Sequence, residues 1–145
     1  MNSDFCLTIR SDPRLLASIR CLVRGWTESH GITGDVAENV VLAIDEACSN
    51  SIRHAYRGCC DEQVELTLRA DESFLEYVLE DHGEPCPVEC LEVDPEREPS
   101  ARDVTPGGLG VLLMFEVFDE VDFRPGADRG NRVTMRLRKV EAGKS

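Results

Sequence analysis

The stretch Glu46-Ala47-Cys48-Ser49-Asn50-Ser51-Ile52-Arg53-His54-Ala55-Tyr56 carries two patterns at once. Glu46, Asn50 and His54 recur every four residues, a spacing that stacks side chains along one stripe of a helix. Cys48, Ile52 and Ala55 continue a second stripe that begins with Val36, Val40, Val41 and Ile44, so one helix face is oily and another polar. The helix is expected to open at Asp35, with Glu38 in capping-box spacing, and to run to Gly58. A carboxylate and an amide oxygen one turn apart suit a magnesium ion, which keeps several waters and shares its oxygen ligands with substrate phosphates. The solvated side of an amphipathic helix looks the same, so the stripe alone does not choose between the two.

Towards the N-terminus, Phe5, Leu7 and Ile9 alternate with Cys6, Thr8 and Arg10, the period of a half-buried strand. Asp12-Pro13 then opens a first helix, since Asp caps free N–H groups and proline suits the first helical position. Leu15, Leu16, Ile19, Leu22, Val23 and Trp26 carry that helix to Gly31. Beyond the quoted stretch, Val64, Leu66 and Leu68, then Leu75, Tyr77 and Leu79, alternate on either side of a turn at Asp71-Glu72, which reads as an antiparallel hairpin. Periodicity is lost between residues 82 and 106, where Pro85, Pro87, Pro95, Pro99 and Pro106 accumulate; this is a candidate lid. Gly107-Gly108-Leu109-Gly110 leads into an apolar helical run ending near Asp119, and Val121 to Arg124 pairs with Val133, Met135 and Leu137 as a last hairpin. The order β-α-α-β-β-lid-α-β-β predicts an α+β fold: a two-layer sandwich with a mainly antiparallel sheet and the helices on one face.

The 145 residues are expected to form one domain, 1–145, with essentially nothing appended. Sixteen Lys plus Arg against 28 Asp plus Glu give a net charge of −12, which argues against DNA or RNA as a direct partner. No apolar run approaches the length of a membrane span, and Met1-Asn2-Ser3-Asp4 does not open a secretory signal, so the expected location is cytoplasmic. In that reducing compartment the seven cysteines are expected as thiols, with Cys6, Cys21 and Cys48 acting as small buried hydrophobes. Cys59-Cys60 and Cys86-x-x-x-Cys90 lack the C-x-x-C spacing that holds zinc well.

Two further motifs bear on ligands. Asp81-His82-Gly83 ends a strand, where a carboxylate can accept a hydrogen bond from an exocyclic amine and a glycine lets a flat ring approach the backbone; the same triplet also makes a plain turn. Gly107-Gly108-x-Gly110 stands at a helix start, where free N–H groups and the helix dipole favour phosphate. It is neither a P-loop, since no Gly-Lys-Ser/Thr follows, nor a Rossmann fingerprint, since no strand precedes it.

Glu46-Ala47-x-x-Asn50-x-x-x-His54-Ala55-Tyr56, then Asp81-x-Gly83, then Gly107-Gly108-x-Gly110, in this order, resemble the N, G1 and G2 boxes of the GHKL (Bergerat-fold) ATPase superfamily. Within it the chain is similar to the small anti-sigma-factor serine kinases of bacterial partner-switching systems, including the stretches from Met114 to Val121 and from Gly130 to Thr134. The resemblance runs from the first strand to about Lys139. It implies ATP and Mg2+ as cofactors, Glu46 as general base and Asn50 as magnesium ligand. It also implies Asp81 on the adenine amine supported by Gly83, Gly107, Gly108, Leu109 and Gly110 around the phosphates, and Thr134 at the adenine edge. The implied partners are a sigma factor, a STAS-type antagonist that is phosphorylated on serine, and a second copy in a homodimer. His82 and Glu84 are read as loop residues. Thr105-Pro106 stand where a Lys or Arg is expected before Gly107, so a cation for the γ-phosphate must come from Arg102, Arg97 or elsewhere. That departure leaves open a module that binds nucleotide and sequesters partners without catalysis. A sensor histidine kinase shares the fold but needs a phospho-accepting helix pair, which is not expected ahead of the first strand here.

Overall fold

Across five strands, Leu7, Leu66, Leu79, Val133 and Phe123 stand opposite one another in a single row. Phe5, Leu68, Tyr77, Met135 and Val121 form the next row. Alternation along each strand puts both rows on one face, and helices cover that face. The structure is a computed structural model that describes residues 3–55, 62–82, 108–125 and 130–139. Its elements are β1 (Ser3–Arg10), α1 (Leu16–Ser29), α2 (Gly34–Asn50), β2 (Gln63–Ala70), β3 (Phe74–Asp81), α3 (Gly108–Val117), β4 (Glu120–Pro125) and β5 (Asn131–Arg138). The strand order is β1-β2-β3-β5-β4 and every neighbouring pair is antiparallel, so the expected α+β sandwich is the fold observed.

The core lies between that sheet face and the helices. Ile19, Val23 and Trp26 of α1, and Val40, Val41, Ile44, Ala47 and Cys48 of α2, pack with Leu66, Leu68, Leu75, Tyr77 and Leu79. Truncating one of the large residues to alanine is expected to cost about 2–5 kcal/mol. Tyr77 ties the layers together: its ring meets Trp26 edge-on at 5.2 Å, and its hydroxyl lies 2.6 Å from the Thr27 hydroxyl. Burial pushes the Tyr77 phenol above its usual range, the more so because only one hydroxyl partner opposes that desolvation.

Among the described residues the other sheet face has no helix on it, and it carries ladders of opposite charge. Glu76 is buried there between Arg69 and Arg136, with Arg136 Nε at 2.8 Å, and Arg132 reaches Glu80 at 3.2 Å. The Glu76 hydrogen bond holds the Arg136 guanidinium above its ordinary pKa.

Several local expectations need correction. Asp12 does cap, but it caps a 3-10 turn at Pro13–Leu15 that precedes α1, accepting from the Arg14 N–H at 3.0 Å. Thr33, not Asp35, is the N-cap of α2 and makes no side-chain cap bond, so the capping box is not formed. Val36 is 50% exposed because the apolar face of α2 is centred on Val40, Val41 and Ile44, one turn further along. Cys48 is buried as expected, whereas Cys6 and Cys21 are exposed. The regular α-helix ends at Asn50 and continues as a π-helical turn, Ser51–Ala55. Its expected extension to Gly58, the candidate lid of about 82–106 apart from His82, and the pairs Cys59-Cys60 and Cys86/Cys90 lie outside the described residues. Among the described residues no helix is long and apolar enough to cross a membrane.

Candidate functional site

The third row of the helix-covered face reads Ile9, Val64, Asp81, Asn131 and Pro125. The first two positions continue the oily pattern, and the row then turns polar at Asp81 and Asn131, at one end of the sheet. Asp81 is only 5% exposed, and the Asn131 amide donates to Asp81 Oδ1 at 3.0 Å. A buried carboxylate held by an amide is a preorganised acceptor, and while ionised it can take only donors. Gly130, just before β5, has φ +93, and a Cβ built there would come within 2.8 Å of the Asp81 carbonyl oxygen. The backbone of β5 thus closes on the end of β3 more tightly than any side chain would permit.

Glu46 and Asn50 lie one helical turn apart near the C-terminal end of α2, at the edge of the buried stripe beside Ala43 and Ala47 and across the helix from Cys48. Both are partly exposed, as groups that meet a solvated ligand must be. Directly behind them, burial and the nearby Asp45 charge push the Cys48 thiol up to about 12, the signature of an inert core cysteine. The π-helical turn begins at the residue after Asn50; such turns often accompany functional positions in helices. Arg53 from this turn donates to Asn50 Oδ1 at 3.2 Å and stands 3.7 Å from Glu46 Oε2. A cation therefore sits between the two oxygens that sequence reasoning assigned to base and metal ligand.

The donor set also tests whether a metal fits. No group of three His, Cys, Asp or Glu that could hold a metal ion occurs among the described residues. One amide oxygen and a nearby carboxylate do not make a protein cage, but they suit magnesium, which takes one or two protein oxygens and completes its shell with water and phosphate. The Arg53 guanidinium already marks this place as one that accepts positive charge.

Gly108, Leu109 and Gly110 form the first turn of α3, which packs against α2, so the glycine-bearing helix start shares a layer with Glu46 and Asn50. The first N–H groups of such a turn have no intrahelical acceptor and suit anions. Gly83 and Gly107 lie outside the described residues, and nothing is described of the His54 side chain.

Thr134 does not belong to this site. It pairs with Val78 and Asp122, between Val133 and Met135, which both face the core, so its side chain projects from the uncovered face. There it lines an open cleft of about 380 Å³ with Glu76, Arg132 and Arg136. The β5 residue on the Asp81 side is Asn131, three positions earlier. Counting parity back from Met135 and Val133 would have found it. Arg53 offered no such signal, because its neighbour in the spacing argument was His54.

Residues 9–137 match the family described as Histidine kinase-like ATPase domain. Among curated relatives, the Serine-protein kinase RsbW of Bacillus subtilis (strain 168) is 29% identical over 124 residues, covering 83% of this chain and 78% of the relative. The Serine-protein kinase RsbW of Bacillus pumilus (strain SAFR-032) is 30% identical over 134 residues, covering 89% and 82%. Solved structures share the fold, two of them as follows. One holds the RsbU and RsbW domains of Rv1364c from Mycobacterium tuberculosis, with a TM-score of 0.63, 14% identity and 92% of this chain covered. The other is the histidine kinase domain of the Erythrobacter litoralis EL346 blue-light activated histidine kinase, with a TM-score of 0.56, 18% identity and 90% covered. The chain spans 31% of the first of these and 62% of the second.

Proposed function

Because the chain belongs to the histidine kinase-like ATPase domain family, we propose that it binds ATP with magnesium and transfers the γ-phosphoryl group to a serine of a small protein partner. The observation that carries this reading is the Glu46–Asn50 pair, partly exposed one turn apart with a cation between them, in the same layer as a glycine-rich helix start. Relatives named serine-protein kinase support a protein hydroxyl, rather than water, as acceptor.

In this account Asp81 accepts a hydrogen bond from the adenine amine, and Asn131 keeps the carboxylate in the orientation that meets it. Guanine presents a carbonyl oxygen where adenine presents an amine, so an acceptor-only carboxylate would repel it. Gly107, Gly108, Leu109 and Gly110 offer backbone N–H groups to the phosphates. Asn50 would hold magnesium through Oδ1, and the ion when bound supplies charge neutralisation on the phosphates. Glu46 takes the proton of the serine hydroxyl as its oxygen bonds to the γ-phosphorus; the bond from that phosphorus to the β–γ bridging oxygen breaks and ADP leaves. Positioning and charge carry most of such a transfer.

The biological reading is an anti-sigma factor in partner switching. The chain would sequester a sigma factor, phosphorylate a STAS-type antagonist and act as a homodimer in the cytoplasm, within one domain whose lid spans about 82–106. A net charge of −12 suits a basic, DNA-binding sigma factor, since complementary charge speeds encounter. ATP, itself a polyanion, is then held locally by backbone N–H groups and magnesium despite that charge. The test is phosphate transfer from Mg-ATP to an antagonist carrying an acceptor serine. Transfer that depends on Glu46 supports the kinase; nucleotide binding with no transfer, unchanged by Glu46→Gln, identifies a non-catalytic sequestering module.

A further inference from the structure

The contact between Arg53 and the metal-ligand candidate has a consequence that rests on the nucleotide-binding reading above and goes beyond it. Asn50 Oδ1, the oxygen that would reach magnesium, is occupied by Arg53 Nη2 at 3.2 Å, and the same nitrogen lies 3.7 Å from Glu46 Oε2. One guanidinium thus engages both functional oxygens of α2. A guanidinium stays charged at every physiological pH, so nothing but displacement can clear it. Its hold is weak enough to be displaced. The Arg53 side chain is 45% exposed and that of Glu46 39%, and exposed pairs of this kind contribute little.

We propose that Arg53 is a positioning residue that competes with the divalent cation. In the metal-free protein it occupies Asn50 Oδ1 and neutralises Glu46, and magnesium must expel it to bind. An ion arriving with nucleotide phosphates brings extra ligands and displaces the arginine; an ion arriving alone has only Asn50 and water to offset that loss. Arg53 therefore couples metal uptake to nucleotide and raises the magnesium concentration at which the site fills. Its position on the π-helical turn, three residues after Asn50, lets it leave the oxygen without unwinding α2.

The experiment titrates magnesium into the full chain with a fluorescent ATP analogue at fixed concentration. Arg53→Ala is expected to lower the magnesium concentration at half-saturation about two- to five-fold, the range of a weak exposed ion pair. It should leave thermal unfolding in EDTA unchanged. Arg24→Ala removes the same charge from an exposed pair with Glu38 and is expected to leave the midpoint where it is. An unmoved or raised midpoint in Arg53→Ala, or an equal shift in Arg24→Ala, overturns the role of Arg53. Failure of the unaltered chain to bind the analogue at any magnesium concentration overturns the nucleotide-binding reading itself.

Discussion

At the end of β3, Asp81 is 5% exposed, bonded to Asn131 and pressed by the backbone of Gly130. On α2, Glu46 has a side chain that is 39% exposed, and its described cationic neighbour is an arginine at 3.7 Å. The first place is shaped by folding, because strand register sets Asp81 opposite Asn131 whether or not a ligand is present. The second is shaped by whatever cation occupies it. In the proposed function, selectivity for the base would belong to the buried end and control of chemistry to the exposed end, where charge can be exchanged without disturbing the core.

The sharpest way to break this contrast is Glu46→Gln. Loss of the proton acceptor should reduce phosphoryl transfer about 10²–10⁴-fold. The thermal midpoint should stay unchanged, because the side chain is partly exposed and outside the core; a large drop in midpoint would show that the exposed end also supports the fold. Asp81→Asn follows in size. Exchanging a charged acceptor for an amide should weaken ATP binding about 10–100-fold, as read by calorimetry. Gly130→Ala comes third. The new Cβ meets a backbone oxygen at φ +93, so stability should fall by about 1–3 kcal/mol and ATP binding should weaken with it, both visible in a thermal-shift titration. A change in binding without a change in stability would mean that the buried end is not rigid.

Much of this was legible in the sequence, and the failures share a cause. Leu66, Leu68, Tyr77 and Leu79 announced their strands because a half-buried sheet repeats every two residues. Glu46 and Asn50 announced themselves because a helix repeats near every four. Asp81 drew attention as the carboxylate of Asp81-His82-Gly83 at the end of a strand, where it can accept a hydrogen bond. Thr134 was assigned to the wrong face: motif position suggested it, while parity with Val133 and Met135 excluded it and favoured Asn131. Arg53 escaped because its contacts depend on side-chain reach, which spacing does not encode. Cys21 turned outward because the buried stripe of α1 is narrower than its apolar composition, and Val36 is exposed because it lies one turn before the packed part of α2.

The smallest expected effect tests the buried side of α2. Burial raises the Cys48 thiol from 9.0 to about 12, so the folded state keeps a proton that the unfolded chain releases. The associated stability is present below about pH 9 and is lost as pH rises from there towards 12, and the raised Tyr77 phenol adds to the loss. Denaturant unfolding from pH 8 to 10.5 should show that decline, and Cys48→Ala should flatten it. The same substitution should leave magnesium-dependent nucleotide binding unchanged if the two sides of α2 are independent.

The central claim is that a buried carboxylate at the end of β3 selects an adenine nucleotide for a magnesium site on α2. Calorimetric titration of the full chain with non-hydrolysable ATP and GTP analogues, with and without magnesium, tests it most directly. The account predicts magnesium-dependent binding of the ATP analogue, about tenfold or more tighter than the GTP analogue, with that preference lost in Asp81→Asn. Equal affinity for the two nucleotides, or ATP binding as tight without magnesium as with it, would contradict it.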